Sequence, residues 1–339
     1  MLKGKITISE NYFSTISAIK NITSESSNKQ VRLISDYSSE EYISNGKSEI
    51  KILDDRFINL NPPKTSLLHS GKIKLLAGYD ESILELNSLQ GQLRCVSHVC
   101  CLQSEQAYTP VGYLSLKFFT KSLIIQEKST PTSDIILTKD ISKSINDNYH
   151  SERITFLQEY LPESSLVFID GAIFSGANTS YNFKMCDEFK YRGITPLFFV
   201  KNSESELVKQ SFDFAKDYNN DLHWANSILN VKQRSQVFHY ISDGDLNRSM
   251  IFTYIKVFEN RSPIRIEMPY SNYSSLELDF EEMLDFVCFQ YYANGSTSNI
   301  QPRIIQISEL YAREILKSTG IYQEVEKLGL TKIMNEVRF

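Results

Sequence analysis

The sequence predicts an α/β fold in which a mixed sheet is flanked by helices, and three observations carry that expectation. SLVFIDG (165–171) and ITPLFFVK (194–201) are apolar without alternation, as in strands buried on both faces. Each follows a stretch of helical spacing, as in an α/β sheet. Ahead of them, three strand-like segments succeed one another closely, which predicts an antiparallel meander.

Residues 1 to about 70 are rich in Ser, Asn and Lys and close on the breaker Asn61-Pro62-Pro63. They are expected to form a peripheral, partly helical amino-terminal extension, with 71–339 as the catalytic domain. KIKLLAGYD (72–80) is a short apolar strand ending in an acid, and LRCVSHVCCL (93–102) and YLSLKFF (113–119) complete the meander. From 140 to 161, Ile141, Ile145, Ile154, Leu157 and Leu161 recur at helical spacing until Pro162 stops the helix. The strand 165–171 follows, with Asp170 at its carboxyl end, then a helix over about 178–191 and the strand 194–201. Residues 204–232 are expected to be helical. HYISDGD (239–245), MIFTYIKVF (250–258) and PIRIEMPY (263–270) have strand character, divided by turns at Asp243-Gly244 and Asn260 to Pro263. FEEMLDFVC (280–288) and, after Pro302, IIQISELYAREILKS (304–318) are closing helices.

The 339 residues are 41% hydrophobic and 23% charged, a balance that excludes global disorder. With 36 basic against 41 acidic side chains the net charge is -5. Any nucleic-acid activity must therefore rest on a local patch, a partner, or metal ions held by acidic groups. Five irregularly spaced cysteines form no disulfide framework, which points to a reducing compartment. No apolar run approaches about 18 residues and the first twenty residues lack an apolar leader core, so a cytoplasmic, non-membrane protein is expected.

The chemistry-bearing residues are carboxylates at structural junctions. Asp80 and Asp170 end apolar strands, and Glu152 lies on the helix leading into the second. Carboxylates converging at strand ends are hard oxygen ligands suited to Mg²⁺ or Mn²⁺, and such ions can activate water against a phosphodiester. Most acids are nevertheless solvated surface groups, so Asp170, after LVFI and before a glycine, is the strongest of the three. Lys201 at a strand end could hold a phosphate oxygen, although a solvated lysine is the commoner outcome. Arg265 and Glu267 alternate with apolar residues and are expected to form an interstrand salt bridge on the sheet surface. The cluster Cys95, His98, Cys100 and Cys101 has zinc-type ligands, but on a strand these do not share a face; buried small hydrophobes plus one hydrogen-bonded histidine are expected instead. Tyr291 and Tyr292 are the candidates for base stacking.

The ordered segments ERITFLQEYLPESSLVFIDGAI, ITPLFFVKNSESEL, DLHWANSILNVKQRSQVF, SPIRIEMPY and QPRIIQISELYAREI resemble the NurA nuclease family in order and spacing, over about residues 72 to 318. The resemblance implies a ribonuclease H-like core in which Asp80, Glu152 and Asp170 bind Mn²⁺ or Mg²⁺. It also matches Arg234-Ser235, Arg265 and Glu267 to family positions, and Lys201, Arg234 and Gln301 are the expected substrate contacts. Two departures stand out. The first motif reads Asp80-Glu81-Ser82 where the family has Asp-Gly-Ser, and Gln301 and Glu309 replace the family's Tyr and His. Glu309 is expected to act as a metal ligand or base, or to signal weakened catalysis.

The activity implied is a metal-dependent deoxyribonuclease, a 5′ to 3′ exonuclease and/or endonuclease. The resemblance makes it a homodimer that works with a HerA-type hexameric translocase ATPase in DNA end processing, repair or anti-phage defence. The chain has no Gly-rich Lys-Ser/Thr phosphate loop, so ATP hydrolysis falls to the partner. Two alternatives stay open: a ring-docking regulatory subunit that does not cut, and a ribonuclease H-like enzyme acting on RNA or hybrids.

Overall fold

A computed structural model describes residues 5–25, 48–62, 75–88, 90–104, 107–201, 203–242, 244–276, 279–293 and 301–327. The chain opens with β1 (Lys5–Ile8), α1 (Tyr12–Glu25), β2 (Glu49–Asp54) and β3 (Ile58–Asn59), followed by the long strands β4 (Leu75–Ser88), β5 (Gly91–Ser104) and β6 (Ala107–Thr120). Next come α2 (Leu123–Lys128), β7 (Ile135–Leu137), α3 (Ile141–Tyr160), β8 (Ser165–Asp170), α4 (Thr179–Tyr191) and β9 (Thr195–Val200). The short helices α5 (Leu207–Ser211) and α6 (Asp221–Ile228) precede β10 (Gln233–Arg234), β11 (Val237–Ser242), β12 (Asp245–Lys256) and β13 (Ile264–Pro269). Four helices close the described chain: α7 (Tyr270–Tyr273), α8 (Phe280–Tyr292), α9 (Arg303–Ser318) and α10 (Ile321–Lys327).

The expected meander is present: β4 pairs antiparallel with β5 from Leu76↔Gln103 to Ser88↔Gly91, and β5 pairs antiparallel with β6. The strands expected after helices are both present, and β4 is parallel to β8 and β8 to β9. The resulting order β6-β5-β4-β8-β9, a three-stranded meander continued by two parallel strands, is the ribonuclease H-like arrangement. Beyond β9 the sheet extends antiparallel through β13 and β12 to β10 and β3. The first 70 residues, set apart above as an extension, supply β1 beside β6 at one end of this sheet and β2 and β3 at the other. The end of the breaker at Pro63 and the start of the 72–80 segment lie outside the described residues.

Alternation along the central strands divides the core into two layers. Ala77, Tyr79, Val167 and Ile169 face a cluster with α3 and α4 residues such as Leu157 and Phe189. Leu76, Leu166 and Phe168 face a second cluster with Leu284, Ile304 and Ile305 of α8 and α9. Each fully buried Leu or Phe in these layers contributes about 1.5–3 kcal/mol. At Gly78 a Cβ would lie 2.6 Å from the Ile304 carbonyl oxygen, so glycine lets α9 sit directly on β4. Helix starts follow their caps: the Asp140 side chain accepts from the Lys143 N–H at 2.9 Å, and Asp279 accepts from the Glu281 N–H at 2.7 Å.

Three expectations need correction. Asp80 does not end its strand, because β4 runs on to Ser88; the polar triplet Asp80-Glu81-Ser82 resembles a turn, but Leu84 and Leu86 continue the buried face. Residues 204–232 are not one helix: α5 stops at the extended residue Phe212, a 3₁₀ turn follows, and α6 starts afresh under its own Asn220 cap. Arg265 and Glu267 do pair, at 2.7 Å, but within one strand and buried, since β13 lies between β9 and β12 with both faces covered. Glu267 also accepts from the Ile173 N–H at 2.7 Å, which ties the loop after β8 to the sheet.

Candidate active site

The pairing of β4 with β8 runs from Leu75↔Ser165 to Tyr79↔Ile169, so the next step sets Asp80 beside Asp170 on neighbouring parallel strands. Alternation puts both on the α9 side of the sheet. Asp80 is 8% exposed and accepts from the Glu81 N–H at 2.8 Å. Burial first, then the neighbouring Glu81 and Asp170 charges, push its carboxyl up to about 8, and Glu309 adds to the rise. Burial raises the Asp170 carboxyl too, against the opposing pull of Lys201. β8 ends at Asp170, and Gly171 turns the chain away with φ +109°, a conformation that favours glycine.

Lys201 and Gln301 both reach Asp170. The Lys201 ammonium lies 2.8 Å from Asp170 Oδ2, and the Gln301 side-chain amide donates to the same oxygen at 3.3 Å. Gln301 stands immediately before Pro302, the N-cap of α9, so the helix start delivers it to the strand end. Further along α9, Ser308 donates to the Gly78 carbonyl at 2.7 Å and accepts from the Cys101 N–H at 3.2 Å. That anchor brings Glu309 within electrostatic reach of both aspartates, where it raises their carboxyls. Glu309 itself pairs with Arg313 one turn on. Among the described residues no three His, Cys, Asp or Glu side chains stand together as a ready-made metal cage.

Glu152 is placed apart from this group. It extends from α3 onto the opposite face of the sheet, where Ser115 donates to it at 2.9 Å and Lys117 pairs with it at 3.0 Å. Burial there would raise its carboxyl, but His98 and Lys117 outweigh that and hold it below the usual range. Arg234 is also remote and fully engaged: its guanidinium is buried between Asp54 and Glu281 and donates to the Arg56 and Ser235 carbonyls. Tyr291 is buried in the core and Tyr292 donates to the Val257 carbonyl at 2.9 Å, so both rings serve packing. The cysteines are buried and free, and Cys95, Cys100 and Cys101 fall in three different clusters, while His98 shares a 2.7 Å hydrogen bond with Tyr79.

Three contributors lie outside the sequence expectations. Gly78 and Ser308 together seat α9; an isolated glycine within an apolar strand signals close backbone approach and could have marked the first. Arg313, at i+4 from Glu309, carries a helical spacing signal that went unused.

No protein-family model and no curated protein matches the chain. Among solved structures, endonuclease V from Bacillus subtilis is similar over 79% of this chain and 88% of that one, at 12% identity and a TM-score of 0.41. An endonuclease V from Ciona intestinalis, in complex with a 23mer DNA containing an inosine followed by a ribo-adenosine, is similar over 79% and 93%, at 15% identity and 0.38. An Argonaute from A. aeolicus is similar over 70% of this chain and 28% of that one, at 12% identity and 0.33. Likenesses of this strength transfer no residue roles.

Proposed function

We propose that the protein is a metal-dependent nuclease acting on DNA, with Asp80 and Asp170 at its centre. The observation that carries this reading is the pair itself: two half-hidden carboxylates on adjacent parallel strands, at the end of β8, with a third acid facing them from α9. The residues fit a divalent cation. Burial and neighbouring acids raise both carboxyls, with Lys201 opposing the rise at Asp170, and Mg²⁺-type ions are held by one or two carboxylates together with substrate phosphate. Asp80 and Asp170 would hold the ion, with Glu309 as a further ligand. When bound, such an ion supplies Lewis acidity and lowers the pKa of water for attack on phosphorus.

The chain's own side chains set the geometry. Gln301 and Lys201 fix Asp170 Oδ2 from two sides, and Lys201 is the cation nearest to where a phosphate oxygen must lie. Glu309 stands in the helix position of the expected base and can accept a proton from the attacking water. Glu152, packed against Lys117 and His98 on the far face, steadies the meander behind the site. The order of motifs supports a NurA-like enzyme in particular. With a net charge of -5 the free protein attracts DNA weakly, which supports delivery of DNA by a HerA-type hexameric ATPase to a homodimer, in end processing, repair or defence. The Glu309–Arg313 pair and the lack of a three-ligand cage among the described residues favour a second reading, a ring-docking subunit that does not cut.

The test is cleavage of labelled linear duplex with Mn²⁺ or Mg²⁺, alone and with the ATPase. The parent is expected to cut, Asp80→Asn and Asp170→Asn to lose cutting while remaining folded, and Glu152→Gln to keep it. Cutting by both aspartate variants at the parent rate refutes the site; a parent silent under every condition selects the docking subunit.

A further inference from the structure

Helix α9 crosses the meander from strand to strand. Gln301 lies at Asp170, Ile304 and Ser308 at Gly78 of β4, and Ile315 against Gly112 of β6. Glu309 overlooks the aspartate pair, and Arg313 follows one turn later, about 6 Å further along the axis. The Arg313 side chain is 61% exposed and its partner in the structure is Glu309. An exposed pair at i,i+4 holds weakly, so Glu309 can leave it at small cost. Of the other cations near the site, Lys201 lies at the Asp170 end, and Arg303 is held by the Ala293 carbonyl and the Tyr108 ring. An incoming phosphate meets Asp80, Asp170 and Glu309, a negative surface that suits a forked, permanently charged donor.

We propose that Arg313 is a phosphate-binding residue of this site, retained by Glu309 in the resting protein and released to the DNA backbone when Glu309 joins Asp80 and Asp170 in holding a divalent cation. The inference rests on the nuclease reading above. Glu309 thereby exchanges one positive partner for another, and Arg313 becomes available only in the state that can use it.

The test uses the full chain, with Arg313→Gln and Arg313→Lys beside the parent. Binding of a fluorescent duplex is followed by anisotropy over a salt series, in EDTA and in Ca²⁺, and Mn²⁺ binding without DNA is followed by electron paramagnetic resonance. Arg313→Gln is expected to lose about tenfold in DNA affinity in Ca²⁺ and about one unit of salt slope. Arg313→Lys should keep the slope but not the full affinity, and Arg313→Gln should bind Mn²⁺ more tightly, because Glu309 is then unpaired. Parent-like affinity and slope in Arg313→Gln overturn the phosphate role, and unchanged or weaker Mn²⁺ binding overturns the exchange. Either failure leaves the nuclease reading intact if Asp170→Asn still abolishes cleavage, whereas a parent that neither binds nor cuts DNA overturns both.

Discussion

Replacing Asp80 by Asn should abolish a pH dependence of stability that the aspartate itself creates. In the metal-free protein its carboxyl is pushed from 3.8 to about 8 by burial and by the Glu81 and Asp170 charges. Between these values the unfolded chain has lost the proton and the folded chain retains it, so stability falls as pH rises through this window. At about 1.4 kcal/mol per unit, going from about pH 5 to about pH 8 removes up to about 4 kcal/mol, with Asp170 shifted in the same direction. Asn has nearly the same volume and no charge, so the variant's profile should be shallower across that range, with the Asp170 contribution remaining, and should lie above the parent's at the alkaline end. Urea unfolding in EDTA at several pH values measures this directly. Adding Mg²⁺ should restore the parent at the alkaline end and leave Asp80→Asn little changed, since ligand binding to the native state stabilises by mass action. Parallel pH profiles for parent and variant in EDTA refute the argument, because they place the Asp80 carboxyl in ordinary solvent.

Other changes probe the scaffold. Gly78→Ala puts a Cβ 2.6 Å from the Ile304 carbonyl oxygen, so α9 must lift; we expect a loss of about 1–3 kcal/mol and a larger fall in kcat than in DNA affinity, from paired melting and kinetic measurements. Glu267→Gln leaves Arg265 buried without a counter-charge and weakens the hold on Ile173, which should cost about 3–5 kcal/mol in urea unfolding. Arg234→Gln strands Glu281 and leaves Asp54 with Arg56, and should destabilise the fold while leaving the salt slope of DNA binding unchanged; a reduced slope would return Arg234 to the substrate contacts.

What could be read from the sequence was the part governed by local pattern. The apolar runs ending at Asp170 and Lys201 marked β8 and β9 because strands buried on both faces need no alternation, and helix ends followed their prolines and caps. Asp80 was visible as an acid but not as a mid-strand residue, since its neighbours Glu81 and Ser82 look like a turn until β5 and β8 are seen on either side. The split of the acids between two faces was hidden for a different reason. Glu152 sits on a helix, and which face of the sheet that helix covers is a crossover property, not a spacing property. The Arg234 contacts with Asp54 and Glu281 likewise join segments far apart in the chain.

The two faces of the sheet differ in electrostatics, and the difference is why the proposed ion is placed on one of them. On the α3 face the buried acids are neutralised: Glu152 by Lys117, Glu267 by Arg265. There charge has been exchanged for rigidity, and the Glu267 contact fixes the loop immediately after Asp170. On the α9 face Asp80 meets other acids, while Lys201 pairs with Asp170 and the exposed Arg313 with Glu309. Such an arrangement destabilises the free protein, and it persists because the surrounding packing over-determines the positions of β4, β8 and α9. The same unbalanced charge is a source of affinity, because a divalent cation placed there relieves the repulsion that folding imposed. Any substitution that neutralises the pair should therefore strengthen the fold and weaken metal binding together; a variant at Asp80 or Asp170 that gains stability in chelator while keeping its metal affinity would break that coupling.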